Sequence, residues 1–219
     1  MRFLTREQAR AFYDRLGRRQ DWQRFYEGGA LRELIVHGDF KTAHRVFELG
    51  CGTGSFAATL LENQLPQGAS YTGVDLSATM ATLSRQRLAR FSARTQVSQT
   101  DGSLHFDVED ESFDRFVCNY MLDLLPPQDI VEALEEAHRL LQAGGRLCLI
   151  SLAHGETWAS RLVIKAWTGL HNLKPSLVGG CRPVELTNFL NENQWRVDYH
   201  KTVTALTIPS EVVVASKRD

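Results

Sequence analysis

Val46-Phe-Glu-Leu-Gly-Cys-Gly-Thr-Gly-Ser-Phe-Ala57 is the stretch from which the fold is read. Arg45 and the four residues after it make a short apolar strand. Glycines then alternate at positions 50, 52 and 54, and Ser55 opens a helix that reaches about Asn63. Without β-carbons, a turn of this kind lets backbone amides come close to a ligand. The spacing is GxGxG; a dinucleotide fingerprint needs glycine at position 55, where Ser55 stands. In that fingerprint the last glycine serves close helix–strand packing, so a nicotinamide-dependent reductase is the weaker alternative. Asp75 follows 21 residues after Gly54, at the end of a second strand, Ser70-Tyr-Thr-Gly-Val-Asp75. A carboxylate there can accept hydrogen bonds from both ribose hydroxyls of an adenosine.

Strands and helices alternate outward from this unit. Residues 5–35 predict helices broken at Gly28-Gly29, with Ala9, Phe12, Tyr13 and Leu16 on one face. Ser77 and Thr79 are candidate caps for a helix running to about Phe91. Strands follow at 95–100 and 113–118. Pro126-Pro127 then opens a helix that Gly144-Gly145 is expected to cap, before a very apolar interior strand over 146–153. After Ala153 the pattern predicts a helix over 157–170 and a loop. Pro183 then opens a helix ending near Asn193, and two antiparallel segments follow at 194–208 and 211–216. The expected fold is α/β, a doubly wound, mostly parallel seven-stranded sheet with an antiparallel C-terminal edge. It forms a single domain over 1–219, with a helical arm at 1–40 and a substrate-lid insertion at 154–182.

Composition narrows the function classes. Among 219 residues, 25 Lys+Arg stand against 26 Asp+Glu, a formal net charge of -1. No bulk positive field holds nucleic acid, and no apolar run reaches the about 18–20 residues of a membrane span. The arginine-rich start has no apolar signal core and carries Glu7, Asp14 and Asp21, so the expected compartment is the cytoplasm. Cys51, Cys118, Cys148 and Cys181 lack the short spacings of a zinc site, and no metal is expected.

Several blocks together resemble the class I S-adenosylmethionine-dependent methyltransferases. They are Glu48-Leu-Gly-Cys-Gly-Thr-Gly54, Gly73-Val-Asp-Leu-Ser77, Asp101-Gly102, Phe113-Asp-Arg-Phe-Val117 and Leu141-Gln-Ala-Gly-Gly-Arg-Leu147. The likeness spans about residues 40–153 and is nearest to the small-molecule branch of ubiquinone and menaquinone biosynthesis. It implies S-adenosyl-L-methionine as cofactor and S-adenosyl-L-homocysteine as product. Glu48 and the backbone at Gly50, Gly52 and Gly54 would hold the methionine part, and Asp75 the ribose. Leu76 and Met80 would flank the adenine, Asp101 and Gly102 would meet its edge, and Asn119 would sit by the sulfonium. Asp101 alternatively caps a turn with Gly102, and Met80 is alternatively core.

The acceptor is expected to be a small molecule near Tyr13, Tyr26, Tyr120 and Asp123. Asp123 either orients it or caps the turn before Pro126. His154, just beyond the interior strand, either takes a proton from a hydroxyl acceptor or satisfies a loop carbonyl. Trp22 reads as ordinary packing, His37 as near the cofactor, and Arg182 either as an anchor for an acidic substrate or as a surface residue. In-line displacement at the methyl carbon needs positioning above all. A regulatory module that binds the cofactor without catalysis shares the same glycine loop.

Overall fold

A computed structural model describes residues 3–218, with all side chains but those of Gln23 and Arg24. Seven strands form one sheet: β1 Arg45–Leu49, β2 Ser70–Asp75, β3 Thr95–Gln99, β4 Phe113–Asn119, β5 Leu141–Leu152, β6 Trp195–Ala205 and β7 Ile208–Lys217. Their order is β3-β2-β1-β4-β5-β7-β6. The first five run parallel, whereas β7 is antiparallel to both β5 and β6. The terminal hairpin thus folds back to put β7 inside and leave β6 at the edge. The order in which strands are added reverses between the parallel β1 and β4, which opens a crevice at their carboxyl ends where such sheets hold ligands.

Two-residue alternation distributes the apolar side chains. Phe47, Leu49, Phe116, Leu147 and Leu149 point to the face covered by α5 (Pro127–Leu140). Val46, Val117, Cys148, Ile150 and Val212 point to the face covered by α2 (Arg24–His37) and α3 (Ser55–Asn63). Burial on both faces is why the central strands are apolar almost throughout.

Several boundaries differ from the expectation. The N-terminal arm breaks at Gly17, not at Gly28-Gly29. The first helix, α1 (Arg6–Leu16), is opened by a Thr5/Gln8 capping box and closed by Gly17 at φ 49°. A 3-10 stretch follows, and α2 then passes through both glycines. A β-carbon on Gly29 would lie 3.1 Å from Val203 of β6, so that glycine is a packing notch. Gly144-Gly145 do not cap α5, because Leu141 already pairs with Phe113 and the glycines bulge within β5 until Arg146 meets Arg115. The helix after Ser77, α4 (Ala78–Arg87), ends sooner than expected and passes into a 3-10 stretch. Thr157 caps α6 (Trp158–Leu173) through a capping box with Ser160. Pro183 opens no helix. The Val184 amide instead donates to the Leu152 carbonyl, and buried Glu211 takes the Leu186 amide at 2.6 Å to start a 3-10 turn. The hairpin turns at Leu206-Thr207, with φ of 48° and 70°, as a two-residue connection requires.

A buried guanidinium locks the far end of the sheet. Arg115 donates to the carbonyls of Gly38 (2.8 Å) and Asp39 (2.7 Å) and to Thr42 Oγ1 (2.9 Å). Asp114 beside it accepts the amides of His44 and Arg45, which fixes the start of β1. Arg115→Met strands these carbonyls and the Asp114 charge. The expected loss is about 3–5 kcal/mol of unfolding free energy, read as a lower urea midpoint at unchanged slope.

Candidate active site

The glycine loop takes its shape from hydrogen bonds that only this sequence pattern allows. Gly50 and Cys51 amides both donate to the Val74 carbonyl, at 2.9 and 3.0 Å, and bind the loop to the end of β2. Gly50, Gly52 and Gly54 all have positive φ. A β-carbon on Gly50 would press Met121 at 2.9 Å, and one on Gly54 would come within 2.6 Å of Ser84 on α4. Around Gly52 the equivalent position is open space. Gly54 is therefore a helix-packing glycine, whereas Gly52 faces the crevice.

Asp75 closes this arrangement. Its two oxygens accept the Gly52 amide and the Ser77 amide, each at 2.8 Å. Burial pushes its pKa up to about 6, against the two amides, which favour the charged form. Each oxygen keeps a further lone pair for a ligand hydroxyl.

Two adjoining cavities lie over the loop. The larger, about 330 Å³, runs along Gly52, Asp75, Leu76, Met80, Gly102 and Leu104 to Tyr13 and Tyr120. The smaller, about 210 Å³, is lined by Glu48, Gly50, Thr53 and Phe56 together with Glu27 and Arg32 of α2. Gln20, Gly50, Gly52, Asn119 and Tyr120 line both, so the two are halves of one crevice.

Glu48 is buried, and its carboxyl is pushed up to about 8 by burial, opposed by a 2.6 Å hydrogen bond from the Tyr71 hydroxyl. Gly73, across from Glu48 in the β1–β2 register, makes that bond possible. A β-carbon there would meet the Tyr71 hydroxyl at 2.6 Å. Asn119 lies near enough to Glu48 to favour its charged form, yet neither polar atom of its amide is in hydrogen-bond geometry with a described residue. Gln20 Oε1 is likewise buried and unpartnered. Orphaned polar atoms at the wall of a cavity point to a polar ligand. An amino-acid portion by Glu48 and Asn119, with an adenosine portion by Asp75, Leu76 and Met80, fits these donors, acceptors and apolar walls.

The N-terminal arm forms the roof. Thr5, Arg6, Ala9 and Tyr13 of the α1 region line the larger cavity. Asp14 accepts from the Ser77 hydroxyl and the Thr79 amide, and Asp21 joins Thr53 (2.6 Å) to Arg87 (2.5 Å). Gln20 and Asp21 were missed in the sequence, where they sit in a polar, arginine-rich run with no local signal.

Tyr120 is held at φ 52° between a bond from its amide to the Ile150 carbonyl and one from its hydroxyl to Ser210, both 2.8 Å. Tyr26 does not line either cavity; it buttresses Tyr120 edge-on at 5.9 Å. Asp123 lies beneath the crevice, fully buried. Its Oδ2 accepts the Leu152 amide and its Oδ1 has no described partner. Burial pushes its carboxyl up to about 7, with the Leu152 amide and nearby Arg182 pulling the other way. Arg182 is buried, not on the surface, and donates to the Leu125 carbonyl.

Other expected site residues are not brought to the crevice. Asp101 is exposed and accepts the Ser103 amide in a turn of its own. His154 is exposed beside Arg161 and Lys165, outside both cavities, because the chain turns away after β5 to begin α6. Trp22 is exposed, and His37 stacks on Tyr199 at 3.6 Å.

Residues 46–145 match a family model described as a methyltransferase domain. A carboxy-S-adenosyl-L-methionine synthase of Chromohalobacter salexigens is 30% identical over 53% of this chain and 43% of its own. A demethylmenaquinone methyltransferase of Tropheryma whipplei is 34% identical over 50% of this chain and 42% of its own. The chain thus spans less than half the length of these curated relatives. A solved S-adenosylmethionine-dependent methyltransferase of Methanosarcina mazei superposes with TM-score 0.63 at 21% identity, covering 84% of this chain and 97% of that one.

The buried carboxyl of Asp123 makes stability pH-dependent. Unfolded, it ionises near its ordinary value of about 3.9. Folded, it keeps its proton to about 7. The native state therefore binds the extra proton between these values, and its contribution is lost as pH rises through them. Urea unfolding of Asp123→Asn at about pH 5, 6 and 7 is expected to show a shallower fall in stability than the parent chain. Parallel curves would place the titration elsewhere.

Proposed function

We propose that the chain is a class I S-adenosylmethionine-dependent methyltransferase that methylates a small-molecule acceptor held beside Tyr120, a reading supported by the methyltransferase-domain match over residues 46–145. The observation that carries this reading is the double crevice. Asp75 and an open Gly52 lie in one half, Glu48 in the other, and the unpartnered Asn119 amide at their junction. We assign the ribose to Asp75, the adenine to the walls at Leu76, Met80 and Gly102, and the methionine end to Glu48, Gly50 and Asn119.

When bound, S-adenosylmethionine supplies an activated methyl group on a good leaving group. The chain's own work is to hold and align. Tyr13 and Tyr120 line the larger half and offer aromatic faces that attract a sulfonium cation. Tyr26 and Ser210 keep Tyr120 from turning away. The arm over the crevice sheds water from the reacting atoms. Asp123, outside both cavities, fixes the end of β5 against the 179–182 loop and sets the floor beneath the acceptor. His154, exposed and outside both cavities, is assigned no role.

The near-neutral charge favours a small acceptor over nucleic acid, and unpaired thiols at all four cysteines suit a reducing cytoplasm. No described helix is long and apolar enough to cross a membrane. We further read the loop at 174–182 as a lid packed on the arm, since the Tyr13 hydroxyl donates to the Gly179 carbonyl at 3.3 Å.

Calorimetric titration with S-adenosylhomocysteine tests the cofactor site. The parent chain is expected to bind and Asp75→Ala to bind about 10–100-fold more weakly, the loss of hydrogen bonds to a charged acceptor. No binding by the parent chain at millimolar ligand overturns the reading. Transfer of a labelled methyl group into metabolite extracts then identifies the acceptor.

A further inference from the structure

Helix α6 is anchored by one face only. Ile164, Ser160 and His171 are buried, and the Trp167 indole donates to the Cys181 carbonyl at 2.9 Å. The opposite face carries large apolar side chains in water: Trp158 is 81% exposed, Leu162 65% and Leu173 71%, with Leu177 at 57% just beyond. At 1.5 Å per residue, the ridge from Trp158 to Leu173 is about 22 Å long. Arg161 and Lys165 are exposed along one flank, and α6 holds no acidic residue.

Where α6 ends, an open groove of about 960 Å³ begins between Lys174–Ser176 and α1. Its floor is apolar, with Phe3, Phe12 and Leu16, and its charged lining among the described residues is Arg15, Arg19 and Lys174, all cationic. Leu4 and Thr5 are shared between this groove and the larger cavity of the crevice. A chain with a net charge of -1 has therefore gathered cations and exposed apolar groups along one connected path.

We propose that this path, the outer face of α6 and the groove that continues it, docks on an anionic lipid surface. An apolar ridge bordered by Lys and Arg suits the boundary between acyl chains and anionic headgroups, with the long cationic stems reaching back to the headgroups. A second copy of this chain fits less well. In a symmetric pair the same face meets itself, which sets Arg161 and Lys165 against like charges with no α6 carboxylate to pair them. The inference does not depend on methyl transfer, and its test needs no acceptor.

Co-sedimentation of the full chain with phosphatidylglycerol–phosphatidylcholine vesicles, against phosphatidylcholine alone, measures the docking. Binding is expected only to the anionic vesicles and is expected to weaken as salt screens the surface. The Arg161→Gln/Lys165→Gln double variant is expected to bind about thirtyfold more weakly, two surface cations at about 1 kcal/mol each. Trp158→Ala/Leu162→Ala is expected to lose binding as well. Unchanged circular dichroism and S-adenosylhomocysteine affinity show that each variant is folded. Equal binding to both vesicle types, no binding by the parent chain, or variants that bind like it overturn the proposal. So does light scattering that finds a dimer dissolved by Trp158→Ala/Leu162→Ala, which makes the face a contact between copies.

Discussion

One half-buried carboxylate, that of Asp75, sets the geometry on which the crevice depends. By accepting the Gly52 and Ser77 amides, Asp75 joins the loop after β1 to the turn after β2. The Ser77 amide lies at the N-cap of α4, where donors lack intrahelical partners, and the Gly52 amide lies in the glycine loop two residues before Gly54, the N-cap of α3. A single side chain therefore ties the loop to a helix start and still faces the cavity. Moving it would release the glycine loop, the Ser77 cap and, through the Asp14–Ser77 bond, the arm that roofs the crevice.

The electrostatic setting follows from burial more than from ion pairing. Glu48, Asp75 and Asp123 all hold their protons more tightly than free carboxyls, with desolvation as the largest cause at each. One short ion pair, Asp21 with Arg87, borders the crevice, and another lies away from it at Arg139 with Glu136 and Asp110, which secures the 105–112 loop. Carboxyls that are costly to ionise unaided are suited to a cationic ligand, whose arrival favours their charged form.

What the sequence disclosed was local. A strand, three alternating glycines, a helix and a strand-end Asp are all set by short-range chemistry, and the parallel half of the sheet follows from them. The topology of β7 was less visible, since alternation marks two strands and not which lies inside. Gly28-Gly29 reads as a break because glycine is a poor helix former, but a neighbouring strand 174 residues further along, at Val203, demands its small size. The same distance effect hid Gln20 and Asp21, and it separated His154 from a crevice it only adjoins in sequence. Asp101 takes the second of its two readings, with its side chain accepting the Ser103 amide in a local turn.

The placement of β7 also bears on how the protein comes into being. Tyr120, at the centre of the crevice, is held in its uncommon backbone conformation partly by Ser210, a residue 90 positions later. As the chain is synthesised, β1 to β5 can pair in order while the glycine loop forms early. The Tyr120 side of the crevice stays unfinished until residues 208–217 have emerged and paired between β5 and β6. The glycine-loop side and the Tyr120 side thus mature at different moments of translation, and a nascent chain has its glycine loop in place well before Tyr120 is secured.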